Sequence, residues 1–307
     1  MSTLVLGSTG LVGSSIIREA NRRSLDFWGA SSKDLDLTRR GPVFDYFRLK
    51  RPKNIILAAA KVGGIGANSS RPVEFLSNNV QIQTNVMDAA YEIGVEKLVF
   101  LGSSCIYPRE CPQPIAEEYL LSGPLEPTNS AYAIAKISGI ELIKSYRSEY
   151  GKSWISVMPT NLYGPNDNFD LISSHVLPAL IRKFVDAVDG GLSTVYLWGT
   201  GSPKREFMFV DDAARAIVLA FEKYDDDIPL NIGTGEDLSI LSLAEIVADL
   251  AGFGGTVLWD SSMPDGVKRK VLDISRLRAL GFEPSVTLEQ GIEKTIKWFR
   301  ENRGVWK

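Results

Sequence analysis

Two side chains four residues apart, Tyr132 and Lys136 in the run AYAIAK, carry the most suggestive chemistry in this 307-residue sequence. On a helix that spacing puts both on one face. A phenol with an ordinary pKa near ~10 is a sluggish acid or base at neutral pH. An ammonium beside it stabilises the phenolate and lowers that pKa. Ser103 closes a short apolar run and is placed to hydrogen-bond the same carbonyl oxygen that the phenol would protonate. A tyrosine and a lysine at this spacing also occur on many solvated helices, so the pair takes its meaning from its surroundings.

The surroundings begin at the N-terminus. Gly7, Gly10 and Gly13 lie in GSTGLVG, immediately after the apolar run TLVL. Glycines there let the chain turn tightly and approach a pyrophosphate, and the following helix offers unpaired amides and a favourable dipole. Read this way, Gly7, Ser8, Thr9, Gly10, Leu11, Val12 and Gly13 form a dinucleotide cradle. The same spacing could instead be a structural turn; its position at the first strand-to-helix junction favours the cofactor. The second strand is expected to end near Ala30. NAD-selective sites often carry an acid there for the ribose 2′-hydroxyl. Here the chain reads Ser31-Ser32-Lys33, with no acid before Asp34. Two hydroxyls and an ammonium suit a 2′-phosphate, so NADP(H) is the expected cofactor, with Asp36 and Leu37 near the adenine; a solvated turn is the other reading.

The elements that must position these groups are legible in outline. Short apolar runs at Thr3–Leu6, 54–60, 97–101 and 154–158 alternate with helix-spaced stretches such as 72–93 and 131–150. Strands alternating with helices imply βαβ units and a parallel sheet covered on both faces. Beyond about residue 164 the pattern loosens. A polar loop at 165–174 precedes a helix at 175–188, then strands at 195–198, 207–210, 230–232 and 257–259. The fold class is α/β: a Rossmann-like doubly wound parallel sheet with a smaller C-terminal substrate-binding α/β domain. Residues 1–165 are expected to form the NADP-binding domain, with a return segment near 207–233. Residues 166–206 and 234–307 form the substrate-binding domain.

Composition narrows the class. The chain is 44 % hydrophobic and 23 % charged, with net charge −3, so no broad basic field invites nucleic acid. Two cysteines, Cys105 and Cys111, are too few for a disulfide framework. No run approaches the ~18 apolar residues of a membrane span, and MSTLVLGSTG has no leader-like character. A cytoplasmic enzyme without metal, membrane or nucleic-acid partner is expected.

The glycine loop, Ser103 and Tyr132/Lys136 resemble the extended short-chain dehydrogenase/reductase superfamily. AAAKVGGIGAN (58–68), LGSSCIYP (101–108), LEPTNSAYAIAK (125–136), VMPTNLYGPNDNF (157–169), SSHVLPALIRK (173–183) and WGTGSPKREF (198–207) resemble the GDP-L-fucose synthase family across the whole chain. That resemblance implies NADPH-dependent 3,5-epimerisation and 4-reduction of a GDP-linked 4-keto-6-deoxy sugar by a homodimer paired through the helices at 72–93 and 131–150. It implies that Cys105 and His175, the one histidine in the chain, are the acid/base pair at C3 and C5. Without it, Cys105 would read as a small buried residue and His175 as a surface residue at a helix start. The resemblance also implies cofactor contacts at Ala58, Ala59, Ala60, Leu101, Gly102, Ser104, Lys136, Pro159, Thr160, Asn161, Leu162 and His175. It implies substrate contacts at Lys183, Trp198, Arg205, Asp265 and Lys270. Two departures stand out: Thr9 replaces an arginine of some relatives, and Lys183 replaces a bidentate arginine with a point charge.

Other readings fit less well. A sugar 4,6-dehydratase would carry Asp-Glu after the strand-end hydroxyl residue, where this chain has Ser104-Cys105-Ile106. An epimerase or reductase of a related sugar, such as a GDP-6-deoxy-heptose, would use nearly the same centre. A catalytically silent NADP-binding regulator would have lost the Tyr–Lys pair.

Overall fold

The computed structural model describes residues 2–263 and 265–303. The first half runs β1 (Thr3–Leu6), α1 (Leu11–Arg22), β2 (Phe27–Ala30), α2 (Arg40–Lys50), β3 (Asn54–Leu57), α3 (Ile65–Ser70), α4 (Pro72–Glu92), β4 (Lys97–Leu101), α5 (Ser130–Tyr150) and β5 (Ile155–Pro159). Then follow β6 (Asn161–Tyr163), α6 (Val176–Asp189), β7 (Thr194–Trp198), β8 (Lys204–Arg205), β9 (Phe207–Phe209), α7 (Val210–Lys223) and β10 (Leu230–Ile232). The chain continues through β11 (Leu238–Ser239), α8 (Ile240–Ala251), β12 (Thr256–Asp260), β13 (Arg269–Lys270), α9 (Ser275–Ala279) and α10 (Leu288–Glu301).

Among the described residues the main sheet has six strands in the order β10-β5-β4-β3-β1-β2, and every pairing is parallel. Parallel strands need crossovers, and these put helices on both faces. The sheet is buried accordingly: β1, β3 and β5 are inaccessible along their whole length. That explains the near-continuous apolar runs in the sequence. All carboxyl ends fall on one edge, where open α/β sheets bind ligands. Gly7, Ala58, Gly102 and Thr160 follow four of those ends directly.

Strand β10 pairs with β5, far from it in sequence, and α7 packs against α1. A second apolar cluster joins α6, α8 and α10 around Phe169, Phe184, Leu243 and Phe299. Strands β7 and β12 pair in parallel beside it, while β8 is flanked by β11 and β13. The two-residue strands β8, β11 and β13 are not expected from the sequence, being too short to show a period.

The loop between β6 and α6 holds a buried carboxyl. Asp167 is 5 % exposed; one oxygen accepts the Asn168 amide at 2.7 Å and the other has no hydrogen-bond partner. Burial raises its pKa from 3.8 to about 7. A raised carboxyl pKa means the folded chain holds a proton that the unfolded chain has released. Stability therefore falls as pH rises from about 4 to about 7, and the penalty is complete above 7. Asp167→Asn keeps the acceptor and removes the charge. It is expected to stabilise the protein by roughly 1–3 kcal/mol at pH 8 and by far less at pH 5, as measured by urea unfolding at the two pH values.

Candidate active site

The glycine loop folds as its spacing suggests. Gly7 has φ +84°, and a Cβ there would stand 2.9 Å from the backbone of Ala59. A Cβ on Gly13 would lie 2.1 Å from the Gly7 carbonyl oxygen. Only hydrogen fits at either place. Gly10 is the N-cap of α1 and supplies no side-chain cap, so the first-turn amides face outward unpaired by side chains. A cradle that a Cβ would fill, at an uncapped helix start, fits a pyrophosphate. Ser8, Thr9, Leu11 and Val12 all reach the surface there, with Ala58, Ala59 and Ala60 partly open opposite.

At the end of β2 the structure differs from the expectation in one respect. The Asp34 carboxylate turns back to accept the Ser31 amide at 2.8 Å and its hydroxyl at 2.7 Å. These bonds hold the Asp34 pKa below the ordinary carboxylate value. An acid thus does reach this strand end, and Ser31 is already committed to it. Ser32 and Lys33 remain exposed at the turn. The neighbouring turn is organised by Asp36, which accepts the Thr38 amide and hydroxyl, and by Asn85, which donates to the Leu37 carbonyl at 3.0 Å.

The reactive centre gathers at the ends of β4 and the start of α5. Lys136 is 3 % exposed. Its Nζ donates to the Leu101 carbonyl at 2.7 Å and lies 4.9 Å from the Phe100 ring centre and 5.8 Å from that of Tyr132. Tyr132 is 9 % exposed and packs edge-on against Phe75, with centroids 6.3 Å apart. The Ser103 hydroxyl lies close enough to the phenol to favour its ionised form, and it accepts the Cys105 amide at 3.3 Å. Cys105 packs against Tyr132, Phe75 and Ala67. Gly102 donates to the Val157 carbonyl, and a Cβ on it would strike Met158 at 2.4 Å. Leu101, Gly102 and Ser104 are all buried behind this centre.

Here the expected sign of one effect is reversed. Lys136 does not lower the Tyr132 pKa; burial raises it, the Cys105 sulfur adds to the rise, and the Ser103 bond opposes it. The reason is that Lys136 is itself desolvated, so its own pKa falls from 10.5 to about 7.

His175 is the N-cap of α6. The residue is exposed, yet the protein atoms packed around its imidazole hold the pKa below the ordinary histidine value. That combination describes a cleft wall. The loop before it is pinned by Gly64, whose amide donates to the Ser173 carbonyl at 2.9 Å. On the other wall, Thr160 and Asn161 both donate to the Glu206 carbonyl, beside buried Pro159 and half-buried Leu162.

The residues expected on the substrate side come from separate elements and fall into two groups. Arg205 lies within electrostatic reach of Cys105, Asp265 and Glu126, and burial lowers its pKa. Lys270 is its partner in the β13–β8 register. Asp265 accepts the Thr200 amide at 2.7 Å, next to Gly199 and Trp198. Lys183 donates to the Tyr196 carbonyl at 2.8 Å and stands 5.7 Å from the exposed Trp198 ring.

Several supporting residues escape sequence reasoning. Asn79 on α4 accepts the Lys61 amide at 2.8 Å and donates to the Lys61 carbonyl at 3.0 Å. Gln83 donates to the Ala135 carbonyl at 2.7 Å. Buried Glu206 accepts the amides of Thr234, Gly235 and Leu272. Amides on a helix and an acid in a basic loop read as solvated until their partners are known.

Residues 3–233 match the model of the NAD dependent epimerase/dehydratase family. The chain belongs to that family. It is 51 % identical over 302 residues to probable GDP-L-fucose synthase 1 of Oryza sativa subsp. japonica, covering 97 % of this chain and 92 % of the relative. It is 45 % identical to the GDP-L-fucose synthase of Escherichia coli strain K12, over 97 % of this chain and 96 % of that one. Among solved structures it is similar to a GDP-L-fucose synthetase from Naegleria fowleri bound to NADP, with TM-score 0.92, 32 % identity and coverage of 100 % and 96 %. These three relatives match nearly the whole length of the chain rather than residues 3–233 alone.

The buried lysine yields a test. Its depressed pKa means that the unfolded chain holds a proton which the folded chain releases between about pH 7 and 10.5. Stability contributed by this site therefore rises with pH across that window. Lys136→Met is expected to raise stability at pH 7 by on the order of 1–3 kcal/mol and to flatten that rise. Thermal unfolding at about pH 7 and about pH 9.5 checks this.

Proposed function

We propose that this chain converts GDP-4-keto-6-deoxy-D-mannose to GDP-L-fucose, inverting C3 and C5 and reducing C4 with NADPH. The observation that carries the proposal is the joining of Ser103, Cys105, Tyr132 and Lys136 at one strand end, in a chain half identical to a GDP-L-fucose synthase along its length. Residues 1–165 with the return near 207–233 hold the cofactor, and residues 166–206 and 234–307 close over the sugar nucleotide. Few cysteines, both free, agree with a cytoplasmic enzyme. Among the described residues no helix is long and apolar enough to cross a membrane.

A 4-ketone acidifies the protons on C3 and C5. Cys105 and His175 stand on different elements, the turn after β4 and the start of α6. Working from opposite faces of the ring, one removes a proton and the other returns it. A thiol and an imidazole can both give and take protons in enzyme sites, and the protein atoms packed around the His175 imidazole hold its pKa below the ordinary histidine value. Ser103 holds the C4 oxygen and Tyr132 delivers its proton there. NADPH, when bound, supplies the hydride. The cradle at Gly7–Gly13 would hold its pyrophosphate, Ser32 and Lys33 would take the 2′-phosphate, and Lys136 would orient the nicotinamide ribose. Arg205, Lys183 and Lys270 bind the diphosphate, with Trp198 and Asp265 shaping the nucleotide end.

The two halves of the reaction are separable. Tyr132→Phe is expected to slow NADPH oxidation by ~10²–10⁴-fold while C3 and C5 still exchange protons. Cys105→Ser or His175→Gln should instead slow deuterium uptake at C3 and C5 in heavy water, with NADPH binding intact. Wild-type rates of uptake and of epimerised product in both variants would remove the pair from the mechanism.

The homodimer belongs to the same proposal. Helices α4 and α5 pack on each other and leave Val73, Tyr91, Ile134 and Tyr150 exposed. Joined to the same face of a second copy they would form a four-helix bundle. Sedimentation at micromolar concentration should give a dimer, and Ile134→Glu should weaken it. A stable wild-type monomer would contradict this assembly.

A further inference from the structure

The turn after β2 carries a charge that works against the proposed cofactor. Direct contact fixes where this turn lies. The Gly7 and Ser8 amides donate to the Ala30 carbonyl at 2.9 and 3.2 Å. A Cβ on Gly29 would stand 2.3 Å from the Ser8 Cβ. Ser31 therefore begins one residue past the wall of the glycine cradle, where a Rossmann-like site receives the adenosine ribose. Asp34 folds back to this point. Its Oδ2 accepts the Ser31 amide at 2.8 Å and the Ser31 hydroxyl at 2.7 Å. That hydroxyl accepts the Lys33 amide at 3.2 Å in turn. Both bonds to Asp34 fall on Oδ2; among the described residues Oδ1 accepts none, and the residue is exposed. The bonds from Ser31 hold the carboxyl below its ordinary pKa, so it is ionised at neutral pH. The neighbouring charges cancel. Lys33 lies within electrostatic reach of Asp34, and Arg39 within reach of Asp36. Arg40 is engaged by Asp88 at 2.6 Å. Thr9 in the glycine loop adds no charge. Cations recognise a 2′-phosphate, whereas a carboxylate accepts from a 2′-hydroxyl. Residues 31–39 present a carboxylate at the ribose and no excess of cations.

We infer that Asp34 is the residue that limits this chain's preference for NADPH: its carboxylate accepts the 2′-hydroxyl of an unphosphorylated dinucleotide and repels a 2′-phosphate. This rests on the cofactor placement proposed above, in which Ser32 and Lys33 take the 2′-phosphate. Lys33 must then attract the phosphate against an acid next to it in the chain. The repulsion acts between exposed charges, so it is modest and weakens as salt is added. A purely structural Asp34, holding the turn through Ser31, would act on both dinucleotides alike. Its effect would also survive salt, because its hydrogen bonds are made within the protein.

The experiment measures dissociation constants for NADP⁺ and NAD⁺ by titration calorimetry on the full chain. The two differ only in the 2′-phosphate and undergo no chemistry without the sugar nucleotide. Asp34→Asn keeps an oxygen for both Ser31 bonds and removes the charge. It is expected to tighten NADP⁺ about three- to tenfold at ~20 mM salt, and that gain should disappear near ~0.5 M salt. NAD⁺ should bind about two- to fivefold more weakly, because a neutral acceptor replaces a charged one. Lys33→Gln reads the placement of the phosphate separately and should weaken NADP⁺ alone. If Lys33→Gln does so and Asp34→Asn leaves the ratio of the two constants unchanged, the inference fails and the cofactor placement stands. If neither variant changes the ratio, the 2′-phosphate is held elsewhere and both fail. An equal change in the two constants, or a gain that persists at high salt, would show that Asp34 serves the turn and overturn the inference. Thermal unfolding of each variant establishes that folded proteins are compared.

Discussion

The buried ammonium of Lys136 is the constraint around which the centre is arranged. A lysine 3 % exposed survives only if something accepts its protons or relieves its charge. The Leu101 carbonyl does the first and the Phe100 ring faces the charge. Both lie at the end of β4, so α5 must lie close upon that strand. Gly139 makes this approach possible: a Cβ there would stand 2.5 Å from the Phe100 ring and 2.8 Å from Gln83 Oε1. The phenol of Tyr132 is brought to Ser103 by the same contact. Burial moves both groups away from their solution pKa values, the phenol upward and the ammonium downward.

A second set of buried polar groups carries this order outward. The amides of Asn79, Gln83 and Asn85 along α4 tie that helix to the Lys61 segment, to α5 and to the Leu37 turn. One helix therefore references the proposed cofactor edge and the reactive centre to each other. Across the cleft Glu206 does comparable work. Its carboxylate gathers the backbone amides of Thr234, Gly235 and Leu272, while its carbonyl receives Thr160 and Asn161. Arg205 precedes it in the chain, so this cation is fixed relative to the wall after β5. Burial raises the Glu206 pKa even so, and its accepted amides oppose that rise.

Much of this protein was legible in the order of its residues. Periodicity identified the parallel sheet, because strands covered on both faces must be apolar throughout and each crossover must carry a helix. The glycine spacing identified the tight turn after β1, because no other residue fits against Ala59 and the Gly7 carbonyl. The i,i+4 relation of Tyr132 and Lys136 identified one helix face. These are local properties, set by backbone sterics and by the repeat of a single element. Tertiary structure alone decided which distant partners those elements met. It brought β10 beside β5, turned Asp34 back on Ser31, and assembled Arg205, Asp265 and Lys270 near Cys105 from separate loops and two-residue strands. It also reversed the sign of the Tyr132 shift through burial and left the start of α5 without a side-chain cap from Asn129. A pKa and an unmet hydrogen bond depend on what surrounds a group in three dimensions, and no spacing along the chain encodes that.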